Sequence, residues 1–139
     1  MAVVGLGIDL ASVGRFERLL GSGTGPRFVE RCFTEAERAT CDRRRHRAEC
    51  YAARFAAKEA LIKALGGVRG WRWKDMEVVR GEGAPSFRLA GVVAREVERR
   101  RVRALLALTH DGGMAAASVV LEAIDATTDG GATTARPGA

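Results

Sequence analysis

One stretch of the chain, Ala48 to Leu65, carries small or apolar side chains on two faces of a single helix. Tyr51, Phe55, Ile62 and Leu65 recur at helical spacing on one face. Ala53, Ala57, Ala60 and Ala64 follow at intervals of four, three and four on nearly the opposite face. A surface helix has one apolar stripe, so a helix with two is buried on two sides. The remaining elements must therefore wrap around this one. The alanine stripe also lets a second backbone, or a ligand, come close. Gly66-Gly67 ends the helix.

The other segments read as short elements of both kinds. Val3 to Leu10 predicts a buried strand, and Gly5 and Gly7 within it mark a close backbone approach. Ser12 is an N-cap for a helix running to about Leu20. Gly21 to Pro26 breaks that helix into a flexible loop, and it lacks the Gly-Lys-Ser/Thr ending of a phosphate loop. Phe28 to Phe33 predicts a short helix or turn. Thr34 and Glu37 form a capping box for a helix through about Arg44.

Met76–Arg80 and Ser86–Leu89 predict a hairpin around Gly81–Pro85. Val92–Arg101 predicts an amphipathic helix with Val92, Val93 and Val97 inward. Arg103–Thr109 and Met114–Glu122 predict paired strands around Asp111–Gly113. From Asp125 the composition collapses to Ala, Thr, Gly, Asp and Pro, so residues 125–139 are expected to be a disordered tail. The expectation is one α+β domain, residues 1–124, with an antiparallel sheet packed on the long buried helix.

A chain of 139 residues, 47% hydrophobic and 29% charged, builds one core without needing disulfides. Cys32, Cys41 and Cys50 match no zinc spacing and are expected to be reduced thiols. No apolar run reaches the ~18–20 residues of a membrane span. The start has no basic stretch of a secretory signal, so the expected compartment is the cytoplasm. The net charge of +6 favours an anionic partner without choosing its class. The run Arg43 to Arg47 reads as a solvated helix end, without the aromatic interleaving of a nucleic-acid surface.

Two acidic residues stand where a core prefers apolar ones. Asp9 ends the first apolar run, and Glu59 lies at the edge of the Tyr51/Phe55/Ile62 face. A buried carboxylate needs a partner or a metal. Each has an ordinary alternative: a pair with Lys63 for Glu59, and a helix-dipole contact for Asp9. Arg54, Lys58 and Lys63 share the helix of Glu59, and Lys58 must reach a counter-charge near the apolar face. Two carboxylates among cations match a magnesium–phosphate site, since magnesium takes one or two carboxylates plus phosphates and water. His110, ending a strand at Leu108-Thr109-His110-Asp111, is either a structural imidazole or a phosphate or acid–base group.

Together these residues resemble a known family. Gly7-Ile8-Asp9, Phe33-Thr34 with Glu37, Arg54-Phe55-Ala56-Ala57-Lys58-Glu59-Ala60, Lys63-Ala64-Leu65-Gly66, Asp75 to Val78, Gly83 with Pro85, and Thr109-His110 occur in order over roughly residues 1–122. The set is similar to the holo-acyl-carrier-protein synthases of the 4'-phosphopantetheinyl transferase superfamily. The resemblance implies that superfamily's fold. It implies transfer of 4'-phosphopantetheine from coenzyme A to a serine of an apo acyl carrier protein, releasing adenosine 3',5'-bisphosphate.

By the same resemblance Asp9 and Glu59 ligate magnesium. Asp9, Arg54, Lys58, Glu59, Lys63, Thr109 and His110 contact the cofactor, and Glu59, Lys63 and His110 are catalytic. The proton acceptor stays open between Glu59 and a water on the metal. Arg15 is expected to meet an acidic, helical carrier, with Arg18, Arg27 and Arg31 as neighbours. The family implies a homotrimer with sites between subunits, and neither nucleic acid nor membrane as partner. The chain departs from the family pattern at Leu106-Ala107-Leu108 and at Gly66-Gly67-Val68-Arg69-Gly70. A non-catalytic carrier-binding module and a basic nucleic-acid binder are the competing readings.

Overall fold

The computed structural model describes residues 2–124, so the expectation for residues 125–139 lies outside the described residues. The chain runs β1 (Val3–Ser12), α1 (Val13–Leu20), α2 (Gly25–Cys32), α3 (Glu35–Asp42), α4 (Arg47–Ala64), a 3-10 turn (Trp73–Asp75), β2 (Met76–Val79), β3 (Ser86–Leu89), α5 (Gly91–Arg100), β4 (Val102–Asp111) and β5 (Met114–Ala123). β1, β5 and β4 form an antiparallel sheet in that order, and β2 and β3 form a separate hairpin. This is the expected α+β architecture, with two sheets in place of one.

The helix α4 is the centre of the fold, and residues on several of its faces are buried. It lies against the inner face of the three-stranded sheet. Ala115, Ala117, Val119 and Leu121 of β5 alternate inward, as period-2 strands require. β1 reaches the helix through its glycines. A Cβ on Gly7 would stand 1.9 Å from the Ala60 carbonyl oxygen, and one on Gly5 2.6 Å from that of Ala64. Strand and helix backbones meet there as the glycines in the sequence predict.

The opposite side of α4 packs on rings. Phe55 lies 5.4 Å from Phe16 of α1 and 4.7 Å from Trp73, and Tyr51 lies 4.8 Å from Phe33, measured between centroids. Ring pairs at these separations add to the area they bury.

Ser12 and the capping box at Thr34 act as expected. Ser12 Oγ accepts from Arg15 N at 3.2 Å, and Thr34 and Glu37 bond reciprocally at 3.0 and 3.3 Å. α2 begins earlier than the Gly-rich stretch suggested, with Pro26 in its first turn. Proline fits there because that turn's N–H groups have no intrahelical acceptor.

Two expectations are corrected. β1 is buried on one face only: Val4, Leu6, Ile8 and Leu10 point out and are 56–68% exposed. The cysteines are not all free, because Cys41 of α3 and Cys50 of α4 form a disulfide that ties the two helices across the basic loop. Cys32 remains free, and burial pushes its thiol up to about 11.

Candidate active site

Asp9 lies on the inward face of β1, two residues beyond Gly7, and Glu59 precedes Ala60 on α4. The close contact of Gly7 with Ala60 therefore brings the two carboxylates together. Burial raises the Glu59 carboxyl to about 7, and a hydrogen bond and charge repulsion from Asp9 push the same way. Lys63, one turn further along α4, donates to Asp9 Oδ1 at 2.6 Å and to the Ile8 carbonyl at 3.3 Å. Lys63 pairs with Asp9, so the Glu59–Lys63 pair that was the alternative to a metal role is not the one formed. Arg15 of α1 stands near enough to oppose the rise at Glu59.

Two carboxylates forced together, with one proton or one ammonium to quiet them, make a cation site by their own chemistry. Among the described residues no group of three or more His, Cys, Asp or Glu is clustered to hold a metal. A two-carboxylate set suits magnesium, which completes its shell with phosphate oxygens and water, and suits a structural zinc poorly.

A second group forms at the other end of α4. Arg44, Arg45, His46, Arg54, Arg80, Thr109 and His110 line a cavity of about 390 Å³, with Glu49 the one carboxylate among its lining residues. Arg54 is buried, its Nη1 donates to Cys50 Sγ at 3.0 Å, and its Nε has no partner. Burial holds the guanidinium below its usual range. A buried, half-satisfied guanidinium in a cationic pocket is an anion site. His110 Nε2 is 3.3 Å from Glu49 Oε1, and the imidazole is exposed at the end of β4.

The sequence reading missed Arg44, Arg45, His46 and Arg80. The first three sat in the run read as a solvated loop. Their convergence with His110 depends on α4 packing across β4, which composition does not show.

Lys58 is not at either cluster, which corrects its expected cofactor role. Its side chain is fully buried and donates to Glu37 Oε1 at 2.5 Å, the Cys32 carbonyl at 2.9 Å and the Trp73 carbonyl at 3.2 Å. All three ammonium protons are therefore used. One helical residue from Glu59 is about 100° of rotation, enough to aim it at α3 and away from β1. Glu37 also accepts from Val78 N at 3.1 Å, so this ion pair joins α3, α4 and β2. Burial presses the Lys58 ammonium down, and Glu37 opposes that. The four arginines Arg15, Arg18, Arg27 and Arg31 are exposed on α1 and α2.

Comparison with known proteins identifies the family of the chain. Residues 5–111 match the family model described as the 4'-phosphopantetheinyl transferase superfamily. The holo-(acyl-carrier-protein) synthase of Myxococcus xanthus (strain DK1622) is 55% identical over 122 residues, covering 88% of this chain and 97% of that one. The crystal structure of the Neisseria meningitidis holo-(acyl-carrier-protein) synthase superposes with a TM-score of 0.78 at 29% identity, covering 87% of this chain and 99% of that one. The Bacillus anthracis enzyme of the same name, in complex with CoA (3',5'-ADP), gives a TM-score of 0.70 at 32% identity, covering 88% of this chain and 98% of that one. The chain belongs to the 4'-phosphopantetheinyl transferase superfamily.

Proposed function

We propose that this member of the 4'-phosphopantetheinyl transferase superfamily is a holo-(acyl-carrier-protein) synthase, moving 4'-phosphopantetheine from coenzyme A to a serine of an apo acyl carrier protein. The meeting of Asp9, Glu59 and Lys63 under the glycines of β1 carries the reading. The names and identities of the relatives support the same donor and acceptor.

The serine oxygen bonds to the β-phosphorus of coenzyme A, and the bond from that phosphorus to the bridging oxygen breaks. Adenosine 3',5'-bisphosphate leaves with the bridging electrons. Such transfers are catalysed by positioning and charge neutralisation. Asp9 and Glu59 are assigned to hold magnesium, which when bound neutralises and orients the pyrophosphate oxygens. Lys63 supplies a mobile positive charge, exchanging Asp9 for a phosphate oxygen as the donor enters. We assign Glu59 the serine proton, since it stands beside Asp9 in the carboxylate pair where the donor phosphates would be held. Arg54, Thr109 and His110 are assigned to the nucleotide phosphate, with Arg44, Arg45 and His46 beside them. The orphaned Nε of Arg54 supports this.

The working unit is proposed to be a homotrimer. Leu6 of β1, Val120 of β5 and Leu105 of β4 stand in register on the outer face of the sheet, with Leu6 68% and Leu105 50% exposed. A continuous apolar face on a small chain is the mark of an interface. Arg54 and Glu59 are five residues apart on α4, about 140° around the axis. One chain thus turns its two clusters to different sides, which favours sites completed by a neighbour. No helix among the described residues is long and apolar enough to cross a membrane. Work in the cytoplasm is part of the proposal, as is docking of the carrier on Arg15, Arg18, Arg27 and Arg31.

Incubation with coenzyme A, magnesium and a panel of apo carrier proteins tests the reading. At least one carrier becomes heavier by one phosphopantetheine. No mass shift with any carrier overturns it.

A further inference from the structure

On the side of α4 that carries Phe55 and Glu59, the chain builds another recess, of about 750 Å³, lined by Arg31, Trp71, Arg72, Trp73, Lys74 and Asp75. Its position follows from stacking. Phe55 and Glu59 are neighbours one turn apart on α4. Trp73 stacks on Phe55 with ring centroids 4.7 Å apart and planes 23° apart, and Trp71 meets Trp73 edge-on at 4.7 Å. The indoles are thus anchored on α4 one turn from Glu59. The cavity around Arg54 and His110 opens elsewhere on the helix.

The recess is cationic at its rim and apolar within. Arg31, Arg72 and Lys74 are exposed and form no ion pair among the described residues. The single carboxylate in the lining is already engaged. Asp75 Oδ2 accepts from the Arg72 backbone N–H at 3.0 Å, and Oδ1 lies so near Gly91 that a Cβ there would stand 2.5 Å from it. Half-exposed tryptophans ringed by arginines are the composition of interface hot spots. The three cations come from two separate segments, Arg31 from α2 and Arg72 and Lys74 from the cap and body of the 3-10 turn, so they face an extended acidic surface and not one compact phosphate.

We propose that this recess is a docking pocket for the acceptor protein. An apolar side chain of an acidic partner enters against Trp71, and flanking carboxylates meet Arg31, Arg72 and Lys74. The partner's identity rests on the transfer reading above. Arg31 makes the recess continuous with the arginines of α1 and α2. Trp71, Arg72 and Lys74 then set which carrier is accepted, while coenzyme A is held by other residues.

The test compares wild type with R72E/K74E, with W71A, and with R69E/R95E, which carries the same charge change on an exposed surface elsewhere. Two quantities are read for each protein: Kd for an apo carrier by calorimetry, and KM for carrier and for coenzyme A in transfer. R72E/K74E and W71A are expected to weaken carrier Kd and KM about tenfold. Coenzyme A KM stays within about twofold, and R69E/R95E changes the carrier values about twofold or less.

Equal losses in R72E/K74E and R69E/R95E, or none in either, overturn the pocket while leaving transfer intact. Loss of binding to a single-stranded RNA with unchanged carrier values also overturns it, in favour of a nucleic-acid surface. A wild type that binds carrier tightly through these residues but transfers nothing supports the pocket and overturns the activity instead.

Discussion

Gly7→Ala is the smallest change that should separate the strand from the helix. The added methyl would stand 1.9 Å from the Ala60 carbonyl oxygen and 2.8 Å from the Ala64 nitrogen, both backbone atoms. Real Cβ contacts essentially never fall below 3.0 Å, so β1 or α4 must retreat by more than 1 Å. Overpacking of this kind costs about 1–3 kcal/mol of stability. Asp9 sits two residues along the strand and Glu59 adjoins Ala60, so the retreat also pulls the carboxylates apart. A misplacement of about 1 Å costs roughly a hundredfold in rate.

The variant is therefore expected to lose about 100-fold in kcat, with a modest drop in urea midpoint. Steady-state transfer and equilibrium unfolding measure the two effects. Adding Ala60→Gly should not rescue it, because the clash is with backbone. Wild-type kcat in the single variant, or rescue by Ala60→Gly, would refute the argument that backbone contact sets the site.

Three further outcomes follow from the same geometry. Lys58→Met leaves Glu37 buried without its counter-charge and is expected to cost about 3–5 kcal/mol in urea unfolding; a cost like that of a surface lysine would contradict the buried pair. Without metal, Glu59 binds its proton more tightly folded, at about 7, than unfolded, near 4.5. Its contribution to stability is complete below 4.5 and is lost as pH rises through about 7, so metal-free Tm should fall over that window. Magnesium should restore Tm at the alkaline end, and Glu59→Gln should flatten the profile; an unchanged profile in Glu59→Gln would count against the assignment. Leu6→Asp, on the exposed sheet face, should give monomers in sedimentation and at least about a tenfold loss of transfer, whereas unchanged trimers would remove that face as the interface.

Much of this was legible in the sequence where periodicity decides. The two-sided burial of α4, the capping box at Thr34 and the close approach at Gly5 and Gly7 all follow from spacing. The outer face of β1 differs from the expected buried strand because Val4, Leu6, Ile8 and Leu10 have the composition of a core yet stand 56–68% exposed. Lys58 was misplaced because adjacency in sequence is not adjacency on a helix: one residue turns it from Asp9 to Glu37. The Cys41–Cys50 bridge rests on a Cα separation of 5.4 Å between helices, which a spacing of nine residues cannot reveal. Arg44, Arg45 and His46 gained their meaning from the strand they face. Pattern alone left ordinary partners open for Asp9 and Glu59; the family resemblance implied their pairing, and the packing of Gly7 on Ala60 brings them together.

Asp9 and Glu59 are proposed as the ligands of one divalent ion beside the donor. Mn²⁺ serves as a spectroscopic stand-in for magnesium, and its binding in the presence of coenzyme A can be followed by electron paramagnetic resonance. Wild type is predicted to hold one ion per site, and folded Asp9→Asn and Glu59→Gln variants to hold none at the same concentration. Undiminished Mn²⁺ binding in both variants would rule out these two carboxylates as the ligands.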